Sequence, residues 1–184
     1  MNISINTVRP ALQFRRAGLT LMEMVVAVGI GSVVLAAVGS LSVFTAKSFV
    51  AMGNYSDLDR ASTFALDTLT HEIRQTRSLS AFATNRLVFV DQDNNPLTYA
   101  YDSGARQLTR TKGTSTKVLL KQCDYLVFGI SQRNPSNNFT FYPVSSTNYA
   151  TTKLVDVSWR CSRQIFGQKV NTESVQTAKI VIRN

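Results

Sequence analysis

The feature that most constrains this chain is an apolar stretch near its amino terminus. Residues 19–46 form a run of 28 residues that contains a single charged side chain, Glu23. Basic residues lie on both sides of the run, and they are Arg9, Arg15, Arg16 and Lys47. Because a helix that crosses a bilayer needs roughly 20 such residues, this segment is long enough to span a membrane.

A carboxylate inside a spanning segment is costly, so it usually has a partner or a function. Residues 16–23 read Arg-Ala-Gly-Leu-Thr-Leu-Met-Glu, which closely resembles the prepilin processing motif of type IV pilins and type II secretion pseudopilins. In that family a membrane peptidase cuts after the glycine and the new amino terminus is methylated. The resemblance implies cleavage between Gly18 and Leu19 and N-methylation of Leu19. The family usually has Phe where this chain has Leu19.

The same resemblance implies an assembly role for Glu23, which would be the fifth residue of the processed chain. In the family, this glutamate of an incoming subunit meets the terminal amine of its neighbour and neutralises both charges in lipid. Such a head-to-tail contact does not close on itself, so its repetition builds a helical filament. The implied partners are a prepilin peptidase/methyltransferase, other pilins or pseudopilins through the amino-terminal helix, and the inner membrane.

Two simpler interpretations of the apolar stretch compete with this one. A secretory signal peptide would use the basic residues as its n-region and could be cut near Ala36, but it has no use for a glutamate at the start of its apolar region. An ordinary single-span anchor would have the same topology and would leave Gly18 and Glu23 without a role.

The charge distribution predicts the topology. Because the arginines precede the span, the amino terminus should stay in the cytoplasm and the body should cross the inner membrane into the periplasm, as a single-pass protein. Disulfides persist in that compartment. Antiparallel pairing of residues 119–130 with residues 153–165 would bring Cys123 and Cys161 close together. A disulfide between them is therefore possible, and two buried free thiols are the alternative.

The body, residues 47–184, is long enough for one domain. It carries 17 basic and 10 acidic residues, a net charge of +7, but the charges are scattered. A solvated surface is therefore favoured over a nucleic-acid site. The single histidine, His71, is interpreted as a helix-surface residue and not as part of a catalytic triad. We expect no enzyme activity, cofactor or metal.

A loop with alternating oxygen ligands, residues 91–95, was weighed as a calcium site. Asp91, Asp93 and Asn95 have the alternation of a calcium loop. However, Pro96 stands where that loop needs glycine, and Asp102 replaces the bidentate glutamate at its end. A polar hairpin loop is the favoured interpretation.

The fold class predicted is α+β, a pilin-like layout in which a long amino-terminal helix packs on an antiparallel β-sheet. No proline occurs between Pro10 and Pro96, so one helix can run from about residue 19 to about residue 76. Its amphipathic half has an apolar stripe at helical spacing, made of Leu58, Ala61, Ala65, Leu69 and Ile73 and widened by Phe64 and Leu66. Two-residue alternation predicts strands later in the chain, at residues 86–90, 97–101, 107–110, 117–120, 125–130, 139–142, 154–160 and 175–182.

The predicted domain organisation has four parts. Residues 1–18 are the cytoplasmic leader, 19–46 the transmembrane and assembly helix, 47–80 its amphipathic continuation, and 81–184 the periplasmic β-rich head. The stretches at residues 97–110 and 179–184 are similar to those of minor pseudopilins, most of all the J type, and of PilW-like minor pilins. The resemblance implies a minor subunit of the pseudopilus in type II protein secretion. The alternatives are a minor type IV pilin for adhesion, motility or DNA uptake, and an anchored periplasmic binding module.

Overall fold

The computed structural model describes residues 18–136, 140–145, 147–165, 167 and 172–183. Most of the predicted leader, residues 1–17, and Phe139 at the start of one predicted strand lie outside these residues. The described chain divides into two compact units, Met1–Thr45 and Ala46–Asn184. Helix α1, Leu21–Arg74, is continuous through this boundary, as the absence of proline predicted.

Both ends of α1 have local stabilising contacts. Thr20 precedes the first turn and caps it, as described below for the candidate site. At the carboxyl end, the last turn closes tightly through the N–H of Gln75, which donates to the Glu72 carbonyl (3.0 Å), and the N–H of Thr76, which donates to the Ile73 carbonyl (3.2 Å). Arg74 in the last turn places a positive charge where the helix dipole favours it.

Nine strands follow α1 in the described residues. In chain order they are β1 (Ser78–Ala83), β2 (Arg86–Val90), β3 (Pro96–Asp102), β4 (Gln107–Lys112), β5 (Ser115–Leu120), β6 (Cys123–Arg133), β7 (Phe141–Pro143), β8 (Leu154–Ser162) and β9 (Glu173–Val181), with a short 3-10 helix at Tyr149–Thr151 between β7 and β8. The α+β prediction is confirmed. Strand β1 was not predicted, because its sequence Ser-Leu-Ser-Ala-Phe-Ala has few β-branched residues.

The strands form two antiparallel sheets where the sequence suggested one. The first is a five-stranded meander in the order β1-β2-β3-β4-β5, and the second is four-stranded in the order β7-β6-β8-β9. Backbone hydrogen bonds connect strand β6 of the second sheet to two turns of the first sheet, the β1–β2 turn and the β3–β4 turn. The N–H of Phe128 in β6 donates to the Thr84 carbonyl (2.8 Å), and the N–H of Cys123 donates to the Arg106 carbonyl (2.9 Å).

One hydrophobic core joins the second half of α1 to both sheets. Its largest fully buried side chains include Trp159, Tyr99, Phe89 and Phe128. Burying a side chain of this kind contributes roughly 1.5–3 kcal/mol relative to leaving it exposed. The packing therefore fixes the half of α1 that lies in the second unit on the sheets.

The buried stripe of α1 differs from the prediction at two positions. Ser62 is fully buried, although the pattern left it out of the stripe. Its hydroxyl accepts a hydrogen bond of 3.2 Å from Trp159 Nε1, which satisfies the indole N–H in the core. Phe64, predicted to widen the stripe, is 51% exposed, and the Lys117 ammonium lies 4.7 Å from its ring centroid. An ammonium over the ring face replaces the apolar contact that we predicted.

Candidate processing and assembly site

Glu23 lies in the first turn of α1, where it forms a capping box with Thr20. The Glu23 Oε2 atom accepts hydrogen bonds from the Thr20 N–H (2.8 Å) and from the Thr20 hydroxyl (3.0 Å). In return, the Glu23 N–H donates to the Thr20 hydroxyl oxygen (3.2 Å). Reciprocal bonds of this kind satisfy backbone donors that the start of a helix leaves unpaired.

This capping box was not predicted from the sequence, although its signal is plain. A threonine followed three residues later by a glutamate, just before an apolar run, is the sequence signature of a helix start. The Glu23 carboxylate is therefore partly satisfied within its own chain. Both bonds go to Oε2, so Oε1 is the oxygen on which a further cation could be bound.

Gly18 and Leu19 lie just before the helix and are exposed. A methyl group built on Gly18 would meet no atom within 4 Å, and the φ angle of Gly18 lies outside the left-handed region that favours glycine. The contacts of the described chain therefore do not require glycine at this position. The Leu19 side chain is 73% exposed, so the bond between these two residues is open to another protein.

The first half of α1 has no covering partner in the described chain. All of residues 18–50 are exposed except Gly31, which is half-buried. Helix α1 also contains an 18-residue window of mean hydropathy 2.3. Among the described residues, it is the one helix that is long and apolar enough to cross a membrane. Such a surface fits a single-pass inner-membrane anchor.

In the second unit, Glu72 joins the end of α1 to the first sheet. Arg110 binds its carboxylate in a fork, with Nη2 on Oε1 and Nε on Oε2 at 2.9 Å, and the Tyr99 hydroxyl donates to Oε2. Burial raises the pKa of Glu72, but the hydrogen bonds from Arg110 and Tyr99 and the nearby positive charges outweigh it, so the net pKa is below the ordinary value. Burial, aided by the hydrogen bond to Glu72, raises the pKa of Tyr99. The Tyr99 hydroxyl therefore keeps its proton and donates it to the hydrogen bond with Glu72.

We predict that Glu72→Gln lowers the free energy of unfolding by about 2 kcal/mol at pH 7, because Arg110 loses its countercharge in a partly buried site. The folded-state pKa of Glu72 lies below its unfolded value, so this contribution is present above about pH 4.5, the ordinary value, and is lost as the pH falls through the folded pKa. Denaturant unfolding of the full chain at pH 7 and at pH 3 measures it. Asp67→Asn, an exposed change on the same helix, is the matched control. Equal stability of the two variants at pH 7 would contradict the prediction.

In the loop at residues 91–95, which has some features of a calcium site, the Lys112 ammonium binds the Asp91 carboxylate. Asp91 Oδ1 accepts hydrogen bonds from the backbone N–H of Asp93 (2.9 Å) and of Asn95 (2.8 Å). The Lys112 ammonium lies 3.4 Å from Asp91 Oδ2. This arrangement is an Asx-type turn with an internal cation, in agreement with the favoured interpretation as a polar hairpin loop.

The two cysteines lie opposite each other on neighbouring strands. Cys123 in β6 and Cys161 in β8 are register partners, and both thiols are buried. The hydrogen bond between the two thiols lowers the pKa of Cys123 and, together with burial, raises that of Cys161. They are free thiols in this structure.

The clearest cluster of basic side chains has internal countercharges. A polar groove contains Arg106 and Arg163 among its lining residues. Arg106 is paired with Asp124, and Arg163 Nη1 lies 3.0 Å from Asp57 Oδ2. His71 is exposed on α1, and one of its ring nitrogens lies 3.3 Å from Gln75 Nε2. These contacts favour a structural role for the charged groups.

Residues 13–39 match the family model described as the prokaryotic N-terminal methylation motif. The matched range contains Gly18, Leu19 and Glu23. It supports a structural subunit of the pilin or pseudopilin type, a class that a prepilin peptidase processes and that assembles with other subunits. A search of curated proteins gave no match.

Proposed function

We propose that this chain is a minor pseudopilin-like structural subunit of a periplasmic pseudopilus for type II protein secretion. In this proposal a prepilin peptidase cuts between Gly18 and Leu19 and methylates the Leu19 amine. The processed subunit then enters the filament through its amino-terminal helix, with Glu23 as the assembly residue.

One observation carries the proposal. The bond between Gly18 and Leu19 is exposed directly before the helix start, and contacts with the described residues give no reason for the glycine. The residues around this bond match the methylation motif. Open space is shared by Gly29, Gly31, Gly39 and Gly53, so it is the place of Gly18 in the motif that points to recognition by a second protein.

The exposed half of α1 supports the second part of the proposal. Its apolar side chains have no covering partner in the described chain. Lipid can cover them while the subunit is anchored, and the helices of neighbouring subunits can cover them in a filament. The proposed orientation has the amino terminus in the cytoplasm and the second unit in the periplasm, because the basic residues precede the span.

The proposed contact of Glu23 is compatible with its capping box. Oε2 is occupied by Thr20, while Oε1 faces no hydrogen-bonding partner among the described residues. A carboxylate accepts several hydrogen bonds at once. Glu23 can therefore cap its own helix and bind the terminal amine of a neighbouring subunit.

The assignment to secretion, and to a minor J-type subunit, is supported by the weaker sequence resemblance at residues 97–110 and 179–184. A minor type IV pilin would share the processing and the helix. Deletion of the gene separates the two functions. Loss of protein secretion with surface pili intact supports the pseudopilus, and loss of pili with normal secretion supports the pilin.

The first experiment is intact mass and amino-terminal sequencing of protein extracted from the native membrane. The expected result is a chain that begins at Leu19 and carries one methyl group on its amine. An uncut amino terminus would replace the proposal with an anchored periplasmic binding module. A start near Ala37 would indicate a secreted protein released from a signal peptide.

A further inference from the structure

We propose that Cys123 and Cys161 form a disulfide bond that closes the second sheet at the junction of the two sheets. This inference rests on the proposed location of the second unit outside the cytoplasm, where disulfides persist. The proposed function depends on the amino-terminal helix, whereas the disulfide is a modification site in the body of the protein.

The register of the strands supplies the geometry. Cys123 and Cys161 are register partners in the antiparallel pair of β6 and β8, and the register shifts directly after them, between Cys123 and Tyr125. Directly opposed residues in such a pair have Cα atoms about 4.5–5.5 Å apart, which lies inside the range of about 4.4–6.8 Å found for disulfides. Both thiols are buried, and the Cys123 thiol donates to the Tyr125 carbonyl (3.2 Å), a hydrogen bond that the disulfide would replace.

The backbone on both sides of the pair is already fixed. The Cys123 N–H donates to the Arg106 carbonyl (2.9 Å), and the Cys123 carbonyl accepts from the Tyr101 hydroxyl (2.9 Å). Beside the pair, the Ser162 N–H donates to the Gln122 carbonyl (3.0 Å). A bond between the sulfurs therefore needs no change in strand pairing.

The neighbouring side chains bring further parts of the fold to the same point. Asp124 accepts hydrogen bonds from Arg106, in the turn between β3 and β4 of the first sheet, and from the Ser162 hydroxyl of β8. Arg163, two residues after Cys161, binds Gln122 and reaches Asp57 of α1. The proposed bond thus lies where α1 and the two sheets meet, and it encloses residues 123–161, which include β7.

The reaction is a thiol–disulfide exchange with a disulfide-bearing oxidant of the extracytoplasmic compartment. Both thiols lose their protons, and two electrons pass to the oxidant, whose disulfide becomes two thiols as the Cys123 Sγ–Cys161 Sγ bond forms. Cys123 is 0% and Cys161 1% exposed. Because a folded body would hide both thiols, we infer that oxidation occurs before the second sheet closes.

The test starts from the full chain extracted from the native membrane in the presence of an alkylating reagent. The protein is then denatured, digested without reduction and analysed by mass spectrometry, with its amino terminus sequenced in the same sample. A linked pair of peptides that contain Cys123 and Cys161 is expected. Two alkylated cysteines in a chain processed at Leu19 would overturn this inference and leave the proposed function standing. Failure of processing as well would overturn both.

Thermal unfolding gives an independent measurement on the detergent-solubilised full chain. Reductant should lower the Tm of the wild type by on the order of 10 °C, because the bond restricts the unfolded chain. Cys123→Ala, Cys161→Ala and the double variant should all lose a similar amount and should not respond to reductant. Additive losses in the two single variants, with a wild type indifferent to reductant, would identify two buried free thiols and overturn the proposal.

Discussion

Replacing Glu23 by glutamine is expected to block incorporation of the subunit into filaments while membrane insertion and cleavage after Gly18 continue. Glutamine can still accept the hydrogen bond from the Thr20 N–H that closes the capping box. It has no charge to neutralise the amine of a neighbouring subunit. Loss of a paired charge in a medium of low dielectric should weaken subunit association on the order of 100-fold or more. The measurement is the fraction of processed subunit recovered in sheared or purified filaments.

Thr20→Val and Glu23→Ala separate the charge of Glu23 from its role as a helix cap. Thr20→Val removes the hydroxyl that bonds to Glu23 but leaves the carboxylate, so it should assemble. Glu23→Ala removes both the cap and the charge and should fail as Glu23→Gln does. Normal assembly of Glu23→Gln together with failure of Thr20→Val would contradict the prediction. It would show that Glu23 acts through its own helix, and the proposed pairing between subunits would have to be abandoned.

Replacing Gly18 by valine is expected to leave the leader on the chain and to prevent methylation of Leu19. The described chain has room for a side chain at this position, since an added Cβ meets no atom within 4 Å. The effect should therefore arise in the peptidase, whose site must admit the residue before the cut. Steric misfit in a small pocket changes rates by roughly 100-fold, and we expect a loss of at least this size. Intact mass of the membrane-extracted protein, followed over time after synthesis, measures it.

Gly29→Ala is the matched control for this experiment. Gly29 lies in the same unit, and a Cβ there also meets no atom within 4 Å. This variant should be processed at the wild-type rate. If Gly18→Val were also processed normally, the bond after Gly18 would not be the cleavage site. If both variants were uncut, a general effect on the first unit would explain the result.

The helix was predicted well because its signal is local. A continuous apolar run followed by apolar residues at helical spacing, without proline, leaves few alternatives to one long helix. Helix α1 accordingly extends over Leu21–Arg74. The capping box has an equally local signal, Thr20 followed three residues later by Glu23, but it was not predicted.

The body was predicted less completely because its contacts join distant parts of the chain. Seven strands fall near their predicted positions, and the eighth, at residues 139–142, is described as Phe141–Pro143. The missing strand β1 is weak in β-propensity and forms because β2 offers it an edge. The pairing of β6 with β8 agrees with the pairing of residues 119–130 with 153–165 that the sequence suggested. The division into two sheets lies between β5 and β6, and no local pattern in the sequence marks it.

The sequence by itself determined the apolar helix, the processing motif around Gly18 and Leu19, and the alternation that makes the body an antiparallel β structure. These are properties of neighbouring residues, and backbone periodicity expresses them directly. Only the tertiary structure decided that Ser62 is buried beneath Trp159 and that Glu72 binds Arg110. Each of these contacts joins residues tens of positions apart, and its free energy exists only after the chain has closed the intervening loop.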